Sequence, residues 1–341
     1  MTKLLHRKSA DGLVLQHALL GACLAASAWG LAGCASGDKV DTSAEVVTLP
    51  ASGDHIDFDD AAYTTDMQRV LIPARDSGVY LVDPATGTAT HVPYDGPADS
   101  VDADTSTLFV ADRSHQQIRV IDPETGKVLS SVPTASTPDY VRYVRARHEL
   151  WVSEPAGGGI QIFGLDARAP APILESAAFV PVPDGPEGLT LSRDGSTAYT
   201  HAGSDLVTVD TATRRIVHRW DTGCEATHGF PRVDTADGFI LASCAEDGRV
   251  VLLDRSDGST LGDYSAGGGE SLPAFSDATG HFYVRSDPGD KIVVLIPSTS
   301  GLEAVADVEV PEVGHCLGAQ ADHYWTCDAD GGRILVFTDA P

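Results

Sequence analysis

Seven side chains recur along the chain at intervals of 40 to 48 residues: His55, Asp99, Asp139, Glu187, His228, Glu270 and His315. All are His or carboxylate, types that make up roughly one in six of its residues. Neutral imidazoles joined by a carboxylate are the ligand chemistry of zinc, bound tetrahedrally at about 2.0–2.2 Å. A single His at such a place more often caps a strand or faces solvent. Three in one register, His55, His228 and His315 with Glu270 among them, point instead to one divalent metal site. Asp99, Asp139 and Glu187 would then orient the imidazoles through their second nitrogens or concentrate cations around them. No Ser-His-Asp context, phosphate-cradling Gly-rich loop or redox CxxC accompanies these residues, so no catalytic nucleophile is nominated.

The elements that carry these residues form a repeat. A turn recurs as Asp83-Pro84-Ala85-Thr86-Gly87, Asp122-Pro123-Glu124-Thr125-Gly126, Asp166-Ala167-Arg168, Asp210-Thr211-Ala212-Thr213, Asp254-Arg255-Ser256-Asp257-Gly258 and Pro297-Ser298-Thr299-Ser300-Gly301, at spacings of 39, 44, 44, 44 and 43 residues. An alternating β-branched run precedes each turn, at 79–82, 118–121, 160–163, 206–209, 250–253 and 292–296, and a seventh lies at 334–337. Repeats of this length with several short strands predict an all-β, seven-bladed β-propeller with four-stranded blades. The last repeat stops after its third strand, and 46–49 (Val-Val-Thr-Leu) is an unassigned strand just before the first. It is expected to complete the last blade and close the ring, removing the open edges. In such a ring the seven His and acidic residues open the innermost strands at one channel mouth. The turns after the second strands would add Asp76, Asp112, Glu154, His201, Glu246, Asp287 and Asp328 to the same face.

Composition agrees with many turns and little helix: 34 glycines, 20 prolines and 6% aromatic residues in 341. A formal charge of -26, with 23 basic residues scattered among 49 acidic ones, argues against nucleic acid as a partner and suits a solvated, cation-attracting surface.

The N-terminus reads as a targeting segment. Lys3, Arg7 and Lys8 precede a mostly apolar stretch that ends in Leu31-Ala32-Gly33-Cys34. That ending resembles the lipobox of bacterial lipoproteins, which implies a signal peptide over 1–33, lipidation of Cys34 and a polar tether over 34–45, with the propeller over 46–341. Leu20-Gly21-Ala22-Cys23 is a weaker second candidate. The folded part is then extracytoplasmic, anchored to the membrane by lipid alone, and sees oxidising conditions. Four cysteines fall in it: Cys224, Cys244, Cys316 and Cys327. Cys316 and Cys327 oppose each other if Ala321-Asp322 is a two-residue turn. Cys224 and Cys244 flank the corresponding hairpin, so pairing within each repeat is expected among three possible connectivities.

Ile118-Arg119-Val120-Ile121-Asp122-Pro123-Glu124-Thr125-Gly126 resembles the repeats of YVTN-type seven-bladed propellers, which implies fold rather than function. Cys224-x3-His228-Gly229 with Ser243-Cys244-Ala245-Glu246-Asp247-Gly248-Arg249-Val250 looks like the AztD-type periplasmic zinc metallochaperones. That resemblance implies zinc in the central channel on His228, His315 and His55, handed to the solute-binding protein of a zinc ABC importer. The family's His-rich segment near the mature N-terminus has no counterpart here. The leading expectation is therefore a monomeric, non-enzymatic zinc-binding lipoprotein. The alternatives are a YVTN-type interaction scaffold without metal and a metal-dependent propeller lactonase or lyase.

Overall fold

The computed structural model describes residues 43–50, 55–168, 172–287, 289–312 and 314–339. Cys23, Cys34, the expected signal peptide over 1–33 and most of the expected tether lie outside them. Seven four-stranded antiparallel sheets account for the strands, each ordered from an inner to an outer strand. In blade 2, for example, Ser100–Ala103 is innermost, followed by Leu108–Asp112, Gln117–Ile121 and the outer Val128–Pro133. The second strand is buried throughout, whereas the outer one has no buried residue. Side chains of the middle strands are thus sandwiched between neighbouring blades, which is why those strands are near-continuous Val, Ile, Leu and Phe.

The recurrent Asp turns have a local cause. Asp122 accepts the Glu124 and Thr125 amides on its carboxylate at 2.9 and 3.0 Å, and Asp83 does the same for Ala85 and Thr86 at 3.0 and 3.2 Å. The Gly that ends the turn is left-handed, with φ of 67° at Gly126 and 62° at Gly87. Beyond that turn the outer strand of blades 2 to 6 meets the third strand through a register shift at Val120/Ile121, Ile162/Phe163, Thr208/Val209, Leu252/Leu253 and Val294/Leu295. Such a bulge increases twist where the blade fans outward.

Ring closure is as expected, with the strand starting two residues earlier. Ala44–Thr48 pairs with Arg333–Thr338 from Ala44 opposite Phe337 to Thr48 opposite Arg333. Val47, Ile334 and Trp325 of blade 7 pack in one cluster with Ile72, Tyr80 and Val82 of blade 1. Gln320 pairs with His323 across the predicted two-residue turn, where Ala321 has φ of 54°. Both disulfides form within their blades: Cys224 to Cys244 with Cα atoms 5.4 Å apart, and Cys316 to Cys327 at 5.6 Å. Among the described residues no helix is long and apolar enough to cross a membrane.

Candidate metal site at the channel mouth

The mouth residues are set by one backbone contact that recurs around the ring. Asp99 donates its amide to the Ala111 carbonyl at 3.0 Å, Asp139 to Ser153 at 2.8 Å and His228 to Ser243 at 3.1 Å. Each carbonyl belongs to the end of that blade's second strand. Glu187 and Glu270 open their inner strands, and His315 lies two residues before Leu317–Gln320. In blade 1 the same contact is made by Asp59, to the Pro73 carbonyl at 3.4 Å.

His55 is therefore not in the ring. The Ile56 amide bonds the Ala329 carbonyl at 3.0 Å, which places this stretch beside the blade 7 turn. The His55 ring sits there between Asp330 (Nδ1, 2.8 Å) and Asp57 (Nε2, 3.2 Å), half exposed. Those two carboxylates raise its pKa above the ordinary value, Asp330 most. The offset has a physical origin. The chain must travel from the outer strand of blade 7 to the inner strand of blade 1, which begins only at Ala62. Across that connection no repeat turn fixes the register.

The mouth divides into two unlike halves. On blades 1 to 3, Arg113 reaches in from the end of blade 2's second strand. Its Nη1 is 2.8 Å from Asp59 and 3.8 Å from Asp99, its Nη2 is 2.5 Å from Asp139, and Arg75 adds a contact to Asp59 at 3.1 Å. Asp99 also accepts the Arg113 amide at 2.9 Å. These carboxylates face guanidinium rather than imidazole, so Asp99 and Asp139 do not orient the His residues. Burial, with smaller repulsion from Asp59 and Asp60, still pushes the Asp139 carboxyl up to about 6 against the pull of Arg113.

Blades 4 to 7 form the other half. His228 lies between two carboxylates, with Nε2 2.9 Å from Glu270 and Nδ1 3.8 Å from Glu187. The His315 ring centroid is 6.3 Å from that of His228. Among the described residues neither glutamate is paired with an Arg or Lys. Burial, then repulsion from Asp139, raises the Glu187 carboxyl to about 7, and the facing Gly229 amide and Arg113 only partly offset this. Beneath the rings lies a cavity of about 20 Å³ whose walls include Asp59, Asp60, Tyr140, His228, Arg232 and His315. That is room for one water or one ion. Two imidazoles on one tetrahedral ion would have centroids about 5 Å apart, from bonds near 2.0–2.1 Å. The observed pair must close by roughly an ångström. Consistent with this, no three His, Cys, Asp or Glu among the described residues already converge at ligand distance.

The turns after the second strands do not form a second acidic ring. Asp112 is buried against Gln117, His115 and Arg119, and Asp328 is held by Arg333. Glu154 is fully buried, Asp76 and Glu246 are exposed, and Asp287 is opposite Glu270 in the ladder. His201 is also fully buried, and burial lowers its pKa to about 4. Its Nδ1 is 3.0 Å from the Gly229 carbonyl, so the neutral ring fixes the backbone beside His228. Gly229 is left-handed at φ 63°, and its carbonyl would lie 2.0 Å from a Cβ on Gly188, so both positions require glycine. The residues missed from sequence are Asp59, Arg75 and Arg113. A basic residue just past the second strand in two successive repeats, Ala74-Arg75 and Asp112-Arg113, was the available signal.

No family model matches this chain, and no curated protein matches it. Solved structures do. U3-55K superposes with a TM-score of 0.69 at 11% identity, covering 86% of this chain and 98% of that one. The WD40 repeats of RRP9 give 0.69 at 12% identity, covering 88% and 99%. A chain of the mitotic checkpoint complex gives 0.68 at 14%, covering 96% and 100%. At these identities the likeness establishes a seven-bladed propeller fold and nothing of function.

Proposed function

We propose that the protein binds one divalent transition-metal ion, zinc by preference, on His228, His315, Glu270 and Glu187, and carries it as cargo. The observation that supports this best is the asymmetry of the mouth. Arginines neutralise the acids of blades 1 to 3, whereas blades 4 to 7 gather two imidazoles and two glutamates over an ion-sized cavity. Imidazole and carboxylate together suit zinc, and selectivity against copper would rest on geometry and supply. His55, with its own two carboxylates at the rim, is left out of this set. With the AztD-like segment at 224–250, the site suits a lipid-anchored extracytoplasmic metallochaperone that delivers zinc to the solute-binding protein of an ABC importer. The mouth opens to one face, where such a partner would dock.

The test replaces His228 and His315 with Ala, singly and together, and titrates zinc. Each single change is expected to weaken binding at least tenfold and the pair to abolish it, with an unchanged circular dichroism melt. Full affinity in the folded double variant would overturn the reading and leave an interaction scaffold in its place. Affinity should also fall as pH drops through about 7. There Glu187, raised to that value, takes up a proton and ceases to be a ligand.

A further inference from the structure

Beyond the mouth the channel widens into a second chamber of about 260 Å³ at the other ends of the inner strands, where Leu191, Phe275 and Gln320 lie. Two arginines reach its wall and are held differently. Arg142 is paired with Asp60 at 2.6 Å. Arg232 donates its Nε to the Pro273 carbonyl at 2.7 Å, and its guanidinium lies 4.8 Å from the Phe230 ring centroid. Among the described residues no carboxylate pairs with Arg232. Burial lowers its pKa only to about 10, so it stays charged at neutral pH.

Two neutral donors in the same wall lack partners. Trp325 is 1% exposed and its indole Nε1 makes no hydrogen bond, and the buried Thr190 Oγ1 makes none either. The indole edge lies where a side chain on Gly318 would be, 2.6 Å from a Cβ there, so the glycine keeps room for it at the chamber. A buried donor without an acceptor destabilises the fold that holds it. Two such donors beside a guanidinium that no carboxylate neutralises indicate an acceptor that belongs there. Asp102 shares the wall, but its two oxygens accept the amides of Ala103 and Tyr143, each at 2.7 Å.

We propose that this chamber binds a small organic monocarboxylate, its carboxylate on Arg232, Thr190 and Trp325 and its apolar body against Leu191 and Phe275. The planar guanidinium fork matches a carboxylate, and the apolar wall gives an organic group somewhere to go. The nearby Asp60 and Asp102 disfavour an anion of higher charge. None of these residues is a proposed metal ligand, and Arg232 stands in the wall of both spaces.

The probe is benzoate, titrated into the full chain by calorimetry at constant ionic strength, with methyl benzoate as the neutral control. Saturable one-to-one binding of benzoate and none of the ester is expected. Thr190→Val, which keeps shape, and Trp325→Phe, which keeps an aromatic ring, each remove one donor and should weaken it about threefold to tenfold. Arg232→Gln should weaken it at least about tenfold. No saturable binding of benzoate, equal binding of the ester, or undiminished affinity in Thr190→Val and Trp325→Phe would each overturn the proposal. If Arg232→Gln does not fold, Thr190→Val and Trp325→Phe decide.

Discussion

Glu187 shows the tension between site and stability at the level of a single residue. Its carboxyl is raised from the ordinary range to about 7, mainly by burial. An acid whose folded pKa exceeds its unfolded one costs stability once pH rises above the unfolded value, and the cost is complete above the folded one. Between about pH 4.5 and 7 the protein should therefore lose stability through this group. Glu187→Gln is expected to stabilise the metal-free protein at pH 8, by up to about 3 kcal/mol before solvent screening is allowed for. The gain should fade at pH 4.5, and zinc affinity should drop about tenfold. Urea melts at the two pH values read the first effect. Equal stability of variant and parent at both would mean that the carboxyl is not held in an unfavourable place. At this scale the sequence was half legible. His228, Glu270 and His315 follow from repeat spacing: backbone pairing with the second strand holds His228 and Glu270 in register, and His315 lies two residues before its inner strand. What spacing cannot show is that Arg113 claims Asp99 and Asp139, since that contact depends on a side chain crossing the mouth from another strand.

At the scale of the element, the hairpins of blades 5 and 7 are each tied by a disulfide close to a proposed ligand. Cys316 follows His315 directly, and Cys244 follows Ser243, whose hydroxyl donates to the His228 carbonyl at 2.5 Å. The loops closed are 20 and 11 residues long in sequence separation, so each bond should contribute about 3 kcal/mol, chiefly by restricting the unfolded chain. Replacing Cys316 and Cys327 together with Ser should lower stability by about that amount in denaturant melts and weaken zinc binding, because the rim around His315 loosens. A pair of serines that leaves both unchanged would show that the blade is held without the bond. These elements were readable in advance, because turns rich in Asp and Gly end both hairpins, Glu246-Asp247-Gly248 in blade 5 and Asp328-Ala329-Asp330-Gly331 in blade 7. The inner strand of blade 1 was not. Ala62–Thr64 is only three residues long and is preceded by an irregular connection, so period-two alternation has too few residues to show itself.

For the molecule as a whole, closure rests on Ala44–Thr48. Val47 and Leu49 are 1% and 2% exposed, so removing residues 43–50 deletes two fully buried side chains, each contributing about 1.5–3 kcal/mol, along with a complete ladder. The shortened chain should melt well below the parent and associate through the bared Arg333–Thr338 edge. A melt equal to the parent's would show that the ring does not need its first strand.

That strand also sets an order of events. Its partner lies about 290 residues later in the chain, so the first strand to be made must wait for the last. Six blades can assemble from neighbouring segments as they emerge, since their hairpins are local. The seventh needs contact between the chain's two extremes, and the entropy of closing so long a loop makes non-local pairing slow. Until it happens, Ala44–Thr48 remains an unpaired strand able to pair with another molecule. The time spent in that half-made state, more than the strength of any single blade, governs how much of the newly made protein reaches its final form.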